Sequence, residues 1–212
     1  MKDLSEPVLV WTGKVMLEGR LAVPPEPAAV AILASVPALP DQERDARLIA
    51  ELYDLHVASL YVPLLTEEEL QFDSRTSHFR HDADFLAQRL IDIAQWVARN
   101  RETKDLPIGL VGSSGSAAGA IVAASLRPKL IVTVVSIDGR TDLAIDSLRE
   151  LKVPTLLIVK DMPVLRMNRE ALTKIRADRR IEIVHGTDCA AIDCVARKTA
   201  QWLGEKLALV AA

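Results

Sequence analysis

The chain has 212 residues, half of them hydrophobic, and its 26 basic and 29 acidic side chains give a formal charge of −3. This balance argues against a nucleic-acid-binding protein, because such proteins concentrate Lys and Arg in basic patches. No apolar run reaches the ~18 residues that a membrane span needs, and the first residues lack the pattern of a secretory leader. We therefore expect one cytoplasmic globular domain over residues 1–212, without a membrane or nucleic-acid partner.

The cysteine content predicts a protein without disulfide or metal staples. The chain has two cysteines, Cys189 and Cys194. Their spacing fits neither a C-x-x-C redox motif nor a zinc site, which needs four ligands. We expect two free, buried thiols in a reducing compartment, with no metal and no cofactor.

The hydrophobic pattern predicts strands and helices that alternate after residue 35. Two strands, within residues 7–12 and 14–23, alternate in part between polar and apolar residues, and a third, AAVAILAS, is apolar throughout. The first helix is predicted to begin at Asp41, its N-cap. Later strands are predicted in HVASLYVPLL, LPIGLVG, KLIVTVVSI, VPTLLIVK and RRIEIVHG, and later helices in DADFLAQRLIDIAQWVARN, GSAAGAIVAASL, TDLAIDSLREL, LRMNREALTKI and AIDCVARKTAQWLGEKL.

These elements together predict the fold class. Continuous runs of Val, Ile and Leu indicate strands that are buried on both faces. Such strands, separated by amphipathic helices, form parallel sheets covered by helices. We predict a three-layer α/β/α sandwich whose mostly parallel sheet has about eight strands and an antiparallel N-terminal edge.

The turn at residues 112–116, Gly-Ser-Ser-Gly-Ser, is the most unusual strand-to-helix connection. In open α/β sheets, sites form at the carboxyl ends of the strands. A G-x-S-x-G elbow exposes its serine on a sharp turn, where N–H groups at the helix start can hold an oxyanion. Ser114 fits the serine position, but Ser116 replaces the last glycine. The alternative is that small residues only let this helix pack closely on the sheet.

Five segments together resemble the dienelactone-hydrolase-like branch of the α/β-hydrolase family. The resemblance implies an α/β-hydrolase fold, Ser114 as nucleophile and the N–H of Gly115 as an oxyanion donor. It also implies an acid after the strand TLLIV and a histidine after the last strand. The segments are LLTEEE (64–69), RHDADFLAQRL (80–90), PIGLVGSSGSAAGA (107–120), VVSIDGRTDLA (134–144) and VPTLLIV (153–159).

The loops that should carry the acid and the base depart from this family pattern. After TLLIV the chain is about two residues shorter than the family, and Asp161 is the nearest acid. After IEIV, anchoring on Gly186 puts Asp188 or Cys189 where the family has histidine. His185 serves as the base only if this turn has contracted.

The strand AILAS departs as well. Active relatives follow it with a His-Gly pair that helps to build the oxyanion hole, whereas this chain has Ser35, Val36 and Pro37. Proline has no N–H to donate, which leaves Ser35 and Val36 as candidates on that side. Three departures in three loops predict a fold that has lost or rebuilt its hydrolytic machinery.

Two functions follow from this site. The first is hydrolysis of small esters, lactones or thioesters, with Ser114 as nucleophile, His185 as base and Asp161 or Asp188 as orienting acid. The second is a non-catalytic relative that binds a small molecule or a protein partner above Ser114. The terminal ALVAA either extends the buried helix face or meets a second subunit, so we expect a monomer or homodimer.

A third function is nucleotide binding. Gly112, Gly115 and Gly119 open a helix, and Asp138 follows about 20 residues later, as in dinucleotide sites. The order of these glycines, however, is not G-x-G-x-x-G.

The stretch from Thr66 to Arg80 is polar, and we predict that it is irregular. Because it carries Phe72, His78 and Phe79, it is either a mobile flap over the serine turn or a solvated loop. The three glutamates at 67–69 would point in different directions, so we interpret them as a solvated helix start rather than a metal site.

Overall fold

The computed structural model describes residues 5–36, 42–160, 162–186 and 189–211. Within them, eight strands form one sheet in the order β1-β2-β4-β3-β5-β6-β7-β8. β1–β2 and β2–β4 are antiparallel, and all other pairs are parallel. The strands are β1 Glu6–Thr12, β2 Val15–Ala22, β3 Ala29–Ser35, β4 Val57–Pro63, β5 Ile108–Ser113, β6 Ile131–Ile137, β7 Thr155–Val159 and β8 Arg179–Ile183.

Helices cover both faces of the sheet, which confirms the predicted three-layer architecture. α3, α4 and α5 pack on one face around one apolar core, and α1 and α6 pack on the other around a second. The helices are α1 Gln42–Asp54, α2 Glu67–Thr76, α3 Ala83–Val97, α4 Gly115–Leu126, α5 Met162–Lys174 and α6 Cys189–Ala211, and two 3₁₀ turns span Phe79–His81 and Thr141–Ala144.

Burial explains why these segments form strands and helices. Every residue of β3 and β7 is buried, as expected for strands covered on both faces. The N-terminal hairpin instead alternates, because only one of its faces meets the core. α3 begins where predicted, with the Asp82 carboxylate accepting the Phe85 N–H at 2.9 Å. The predicted N-cap of α1, Asp41, lies outside the described residues.

The prediction of an irregular stretch at Thr66–Arg80 is wrong, since most of it is α2. A capping box starts this helix: the Thr66 hydroxyl accepts the Glu69 N–H, and the Glu69 carboxylate accepts the Thr66 N–H. Glu69 is also not simply solvated, because both its oxygens accept hydrogen bonds at 2.6 Å from the buried Arg89. The motif T-x-x-E was the signal for this helix.

The prediction of a helix in TDLAIDSLREL is also wrong. Only the 3₁₀ turn Thr141–Ala144 forms there, followed by turns. Tertiary contacts fix how the chain enters this segment: the Arg140 N–H donates to the Ser114 carbonyl at 3.1 Å, and Asn168 of α5 donates to the Gly139 carbonyl at 3.0 Å. These contacts override the weak helix propensity of a short segment.

The two cysteines are free, as predicted, but they are not buried. Cys189 is exposed at the first position of α6, and Cys194 is half-buried. No helix among the described residues has the length and apolar character to span a membrane. In the same ranges, no group of three or more His, Cys, Asp and Glu side chains could hold a metal ion.

Candidate active site

Ser114 stands between β5 and α4 with a backbone conformation that few L-residues adopt. Its φ is 51° and its ψ is −120°, and its side chain is exposed at the carboxyl edge of the sheet. Its N–H donates to the Ile137 carbonyl at 3.1 Å, and its own carbonyl accepts from Arg140. These bonds hold the strained turn from both sides. The predicted turn therefore has the geometry of a nucleophile elbow.

Two glycines let the chain turn this sharply. A Cβ on Gly112 would lie 2.7 Å from backbone atoms of Ala117, in the first turn of α4. A Cβ on Gly115 would overlap the carbonyl oxygen of Arg80, from the 3₁₀ turn Phe79–His81. The segment before α3 is therefore packed directly against the residue after Ser114.

Ser116, which stands where the motif has its last glycine, has a structural role of its own. Its hydroxyl is fully buried and accepts the Ser113 N–H at 2.9 Å. The same hydroxyl lies 3.0 Å from the carbonyl of Ala34 and 2.8 Å from that of Ser113, and it can donate to either. It thus ties the elbow to the end of β3.

The candidate oxyanion residues lie at one edge of the sheet. Gly115 is in the first turn of α4, where N–H groups have no intrahelical acceptor. Ser35 ends β3, whose Ala34 is in register with Gly112 of β5. The Ser35 hydroxyl is 3.1 Å from the hydroxyl of Tyr61. Half-buried Val36 follows.

The partners predicted for the serine are not brought beside it by any described contact. Asp161 and Asp188 lie outside the described residues. His185 is exposed and directly follows Val184, whose N–H donates to the Val159 carbonyl at 2.9 Å. β8 is three strands away from β5, a separation of about 14 Å at the usual strand spacing. The assignment of His185 as base stays a prediction.

The segment between α2 and α3 is held by Asp73, a residue that the sequence reading did not single out. Its carboxylate is completely buried and accepts hydrogen bonds from the N–H of Phe79 at 2.7 Å, the N–H of Arg80 at 3.1 Å and Nε of Arg80 at 2.5 Å. Burial raises the pKa of Asp73, but the hydrogen bonds from Arg80 outweigh it and leave the pKa below its ordinary value. We call residues 73–81 the clasp.

Aromatic and charged contacts attach the clasp to α3. The Phe79 ring lies 4.9 Å from that of Phe85 and 5.8 Å from that of Phe72. The Arg89 guanidinium lies 4.5 Å from the centre of the Phe85 ring and pairs with Glu69. Burial raises the pKa of Glu69, but hydrogen bonds from Arg89 and Thr66 lower it by a larger amount. The pKa of Glu69 is therefore below its ordinary value. The clasp is therefore packed between α3 and the elbow.

The glycines that suggested nucleotide binding are explained by packing. A Cβ on Gly119 would lie 2.6 Å from Cβ of Leu86, so this glycine lets α3 and α4 approach closely. The Asp138 carboxylate accepts the Lys160 N–H at 2.6 Å, which links the ends of β6 and β7. Both Gly115 and Gly119 are thus explained by the close approach of neighbouring segments.

Comparison with solved structures finds proteins that share the fold of this chain. No family model matches the chain. Among solved structures, a dienelactone hydrolase from Anabaena variabilis is 35% identical, with a TM-score of 0.87 over 96% of this chain and 98% of that one. Est1E from Butyrivibrio proteoclasticus has a TM-score of 0.77 at 10% identity, over 95% of this chain and 99% of that one, which bears on the fold alone.

The curated relatives are longer proteins. Two, from two strains of Mycobacterium tuberculosis, carry the name "Putative phosphoribosyl transferase" and are 35% identical to this chain over 211 residues. The match covers 96% of this chain but 47% of each relative. The chain therefore spans about half the length of the curated relatives it matches.

Proposed function

Because the chain belongs to the dienelactone hydrolase family of α/β-hydrolases, we propose that it hydrolyses small esters, lactones or thioesters with Ser114 as the nucleophile. The observation that carries this proposal is the elbow. An exposed serine at φ 51° and ψ −120° before a twelve-residue helix is a costly arrangement. Such strain is typical of residues whose position serves chemistry.

In the proposed reaction, Ser114 Oγ attacks the acyl carbon while a base takes its proton. The carbonyl oxygen becomes an oxyanion that accepts a hydrogen bond from the Gly115 N–H, with the backbone at Ser35 and Val36 as the candidate second donor. The protonated base then gives its proton to the leaving alcohol or thiol, and water hydrolyses the acyl-enzyme. The candidate base from the sequence is His185, which fits the family pattern only if its turn has contracted, and the candidate orienting acid is Asp161 or Asp188.

Labelling with a fluorophosphonate probe tests the nucleophile. We expect the probe to modify Ser114, and peptide mapping by mass spectrometry distinguishes it from its neighbours Ser113 and Ser116. Ser114→Ala should abolish labelling, whereas Ser113→Ala, the matched control in the same turn, should retain it. Folded protein that the probe does not label would refute the proposal.

A second candidate is binding of a small molecule without turnover, and the paired hydroxyl groups of Ser35 and Tyr61 beside the elbow favour it. Together with Ser113 and other residues they line a recess with a volume of about 10 Å³, room for about one water molecule, so the ligand would lie above this recess. A ligand at 100 times its Kd should add about 2.7 kcal/mol to the free energy of unfolding. A thermal shift across a panel of small hydroxy and carboxylic acids that is lost in Tyr61→Phe would support this function, and a flat response would count against it.

We assign the phosphoribosyl transfer in the relatives' name to the part of those proteins that this chain does not match. The matched half has the hydrolase fold, and close packing accounts for its glycines at 115 and 119. This chain, incubated with phosphoribosyl diphosphate and free bases, should release no pyrophosphate above the blank. Release that depends on the chain would overturn the assignment.

A further inference from the structure

The proposed reaction needs a base within hydrogen-bond reach of Ser114, and the chain has four histidines. His56 is at the wrong end of the sheet, because it precedes β4, which runs parallel to β3 and so to β5. The length of β4 separates it from the elbow by about 20 Å. Its Nδ1 also lies 2.9 Å from the carbonyl oxygen of Pro25.

To reach Ser114 from its place after β8, the His185 side chain would have to pass over the ends of two strands. The chain leaves the sheet at β8, while β7 and β6 lie between it and β5. Val184 is still hydrogen-bonded to β7, so His185 directly follows the last residue of the ladder. The family's histidine also follows the last strand, but only after a turn, whereas an imidazole directly at the end of the ladder would itself have to bridge most of the roughly 14 Å between the two strands.

His81 belongs to the segment that touches the elbow. The carbonyl oxygen of Arg80 fills the place of a Gly115 side chain, and the Arg80 carbonyl carbon lies 3.2 Å from that place. His81 is bonded to this carbonyl carbon, so its Cα lies about 2.4 Å further along the chain. Ser114 directly precedes Gly115 in the chain, so His81 and Ser114 are each one residue away from the two residues in contact. Both side chains are exposed, and neither makes a hydrogen bond to the described residues.

The clasp fixes the backbone that carries His81. Asp73 binds the two N–H groups that precede it, those of Phe79 and Arg80, as well as the Arg80 side chain. On the other side, the N–H of Asp82 donates to the Phe79 carbonyl at 3.2 Å and its carboxylate caps α3. His78, by contrast, packs its ring against that of Phe79 at 5.3 Å. His81 is therefore presented from a rigid backbone with its ring free of described partners.

We propose that His81 is the general base for Ser114, in place of the histidine that the family carries after the last strand. This inference rests on the proposed function. The His81 imidazole accepts the Ser114 hydroxyl proton as Oγ bonds to the acyl carbon, and it returns that proton to the leaving group when the acyl bond breaks. In the second half it takes a proton from the attacking water, and Ser114 regains that proton as the acid is released.

The test compares three single variants, His81→Ala, His78→Ala and His185→Ala, in the full chain. For each, the rate of fluorophosphonate labelling and the hydrolysis of p-nitrophenyl acetate are measured. We expect His81→Ala to lower both rates about a hundredfold, the low end for loss of a general base. Free imidazole should restore a part of the hydrolysis in this variant alone. Because the His81 side chain is exposed, the unfolding midpoint of His81→Ala should match that of the unmodified protein.

The outcomes separate this inference from the proposed function. Labelling that survives in His81→Ala but falls in His185→Ala, with imidazole rescue there, would overturn the role of His81 and keep the hydrolase. Equal rates in all three variants would also refute His81 as the base. A chain whose Ser114 is never labelled refutes the proposed function itself, and the base assignment with it.

Discussion

Asp73→Asn tests how firmly the clasp is held against the elbow. The amide that replaces the carboxylate can keep one oxygen for the N–H groups of Phe79 and Arg80, but its NH₂ cannot accept from Arg80 Nε. Breaking a buried ion pair by removing one charge costs about 3–5 kcal/mol. We expect the low end, about 3 kcal/mol, because the Arg80 side chain is 26% exposed and regains some contact with water. For a chain of this length that lowers Tm by roughly 6–12 °C.

Urea unfolding followed by circular dichroism measures this loss, and its pH dependence gives a second check. The pKa of Asp73 is lowered in the folded protein. Its contribution is therefore fully present above the ordinary Asp pKa of 3.8 and disappears as the pH falls through the folded-state value. The difference between the two proteins should be constant near neutral pH and shrink in acid.

The matched control is Asp142→Asn, which breaks the pair between Arg140 and Asp142. Those side chains are 37% and 38% exposed, so the loss should stay below about 1 kcal/mol. Equal losses for Asp73→Asn and Asp142→Asn would refute the reasoning, since the clasp would then depend on packing and not on the buried pair.

Three further substitutions test other contacts, each by urea unfolding. Gly115→Ala inserts a methyl group against the Arg80 carbonyl and should cost about 1–3 kcal/mol, with faster hydrogen exchange in residues 79–81. Ser116→Ala leaves the half-buried Ser113 N–H without its hydroxyl acceptor and should cost about 1–3 kcal/mol. Arg89→Met leaves Glu69 without its bidentate partner and should cost about 3 kcal/mol. An unchanged midpoint in any of them would show that the contact does not stabilise the fold.

The sheet could be predicted because buried parallel strands have a strong pattern. β3 and β7 consist of apolar runs bounded by turn residues, and the structure buries each of their residues. The glutamates at 67–69 predict the start of α2, but its polar surface carries no helical pattern from which the rest of the helix could be predicted. The prediction of a helix after Arg140 is wrong for the opposite reason. Its pattern looks helical, but contacts from distant elements determine its path.

The site could be predicted only where local geometry defines it. The elbow at Ser114 is a short motif whose glycines have a direct steric purpose. The proximity of Arg80 to Gly115 depends on how α2 and α3 pack, over 35 residues of sequence, and no local pattern reports it. The positions of Asp161 and Asp188 fall outside the described residues, so those assignments stay predictions.

The strain at Ser114 has a consequence for directed evolution of this chain. An L-residue at φ 51° and ψ −120° costs of order 1–3 kcal/mol, and glycine adopts the same angles without that cost. A library selected for thermal stability alone should therefore enrich Ser114→Gly, which removes the hydroxyl. A library selected for labelling or turnover should retain serine. The two selections would diverge at this one codon, and the divergence would report how much stability the fold gives up to present its nucleophile.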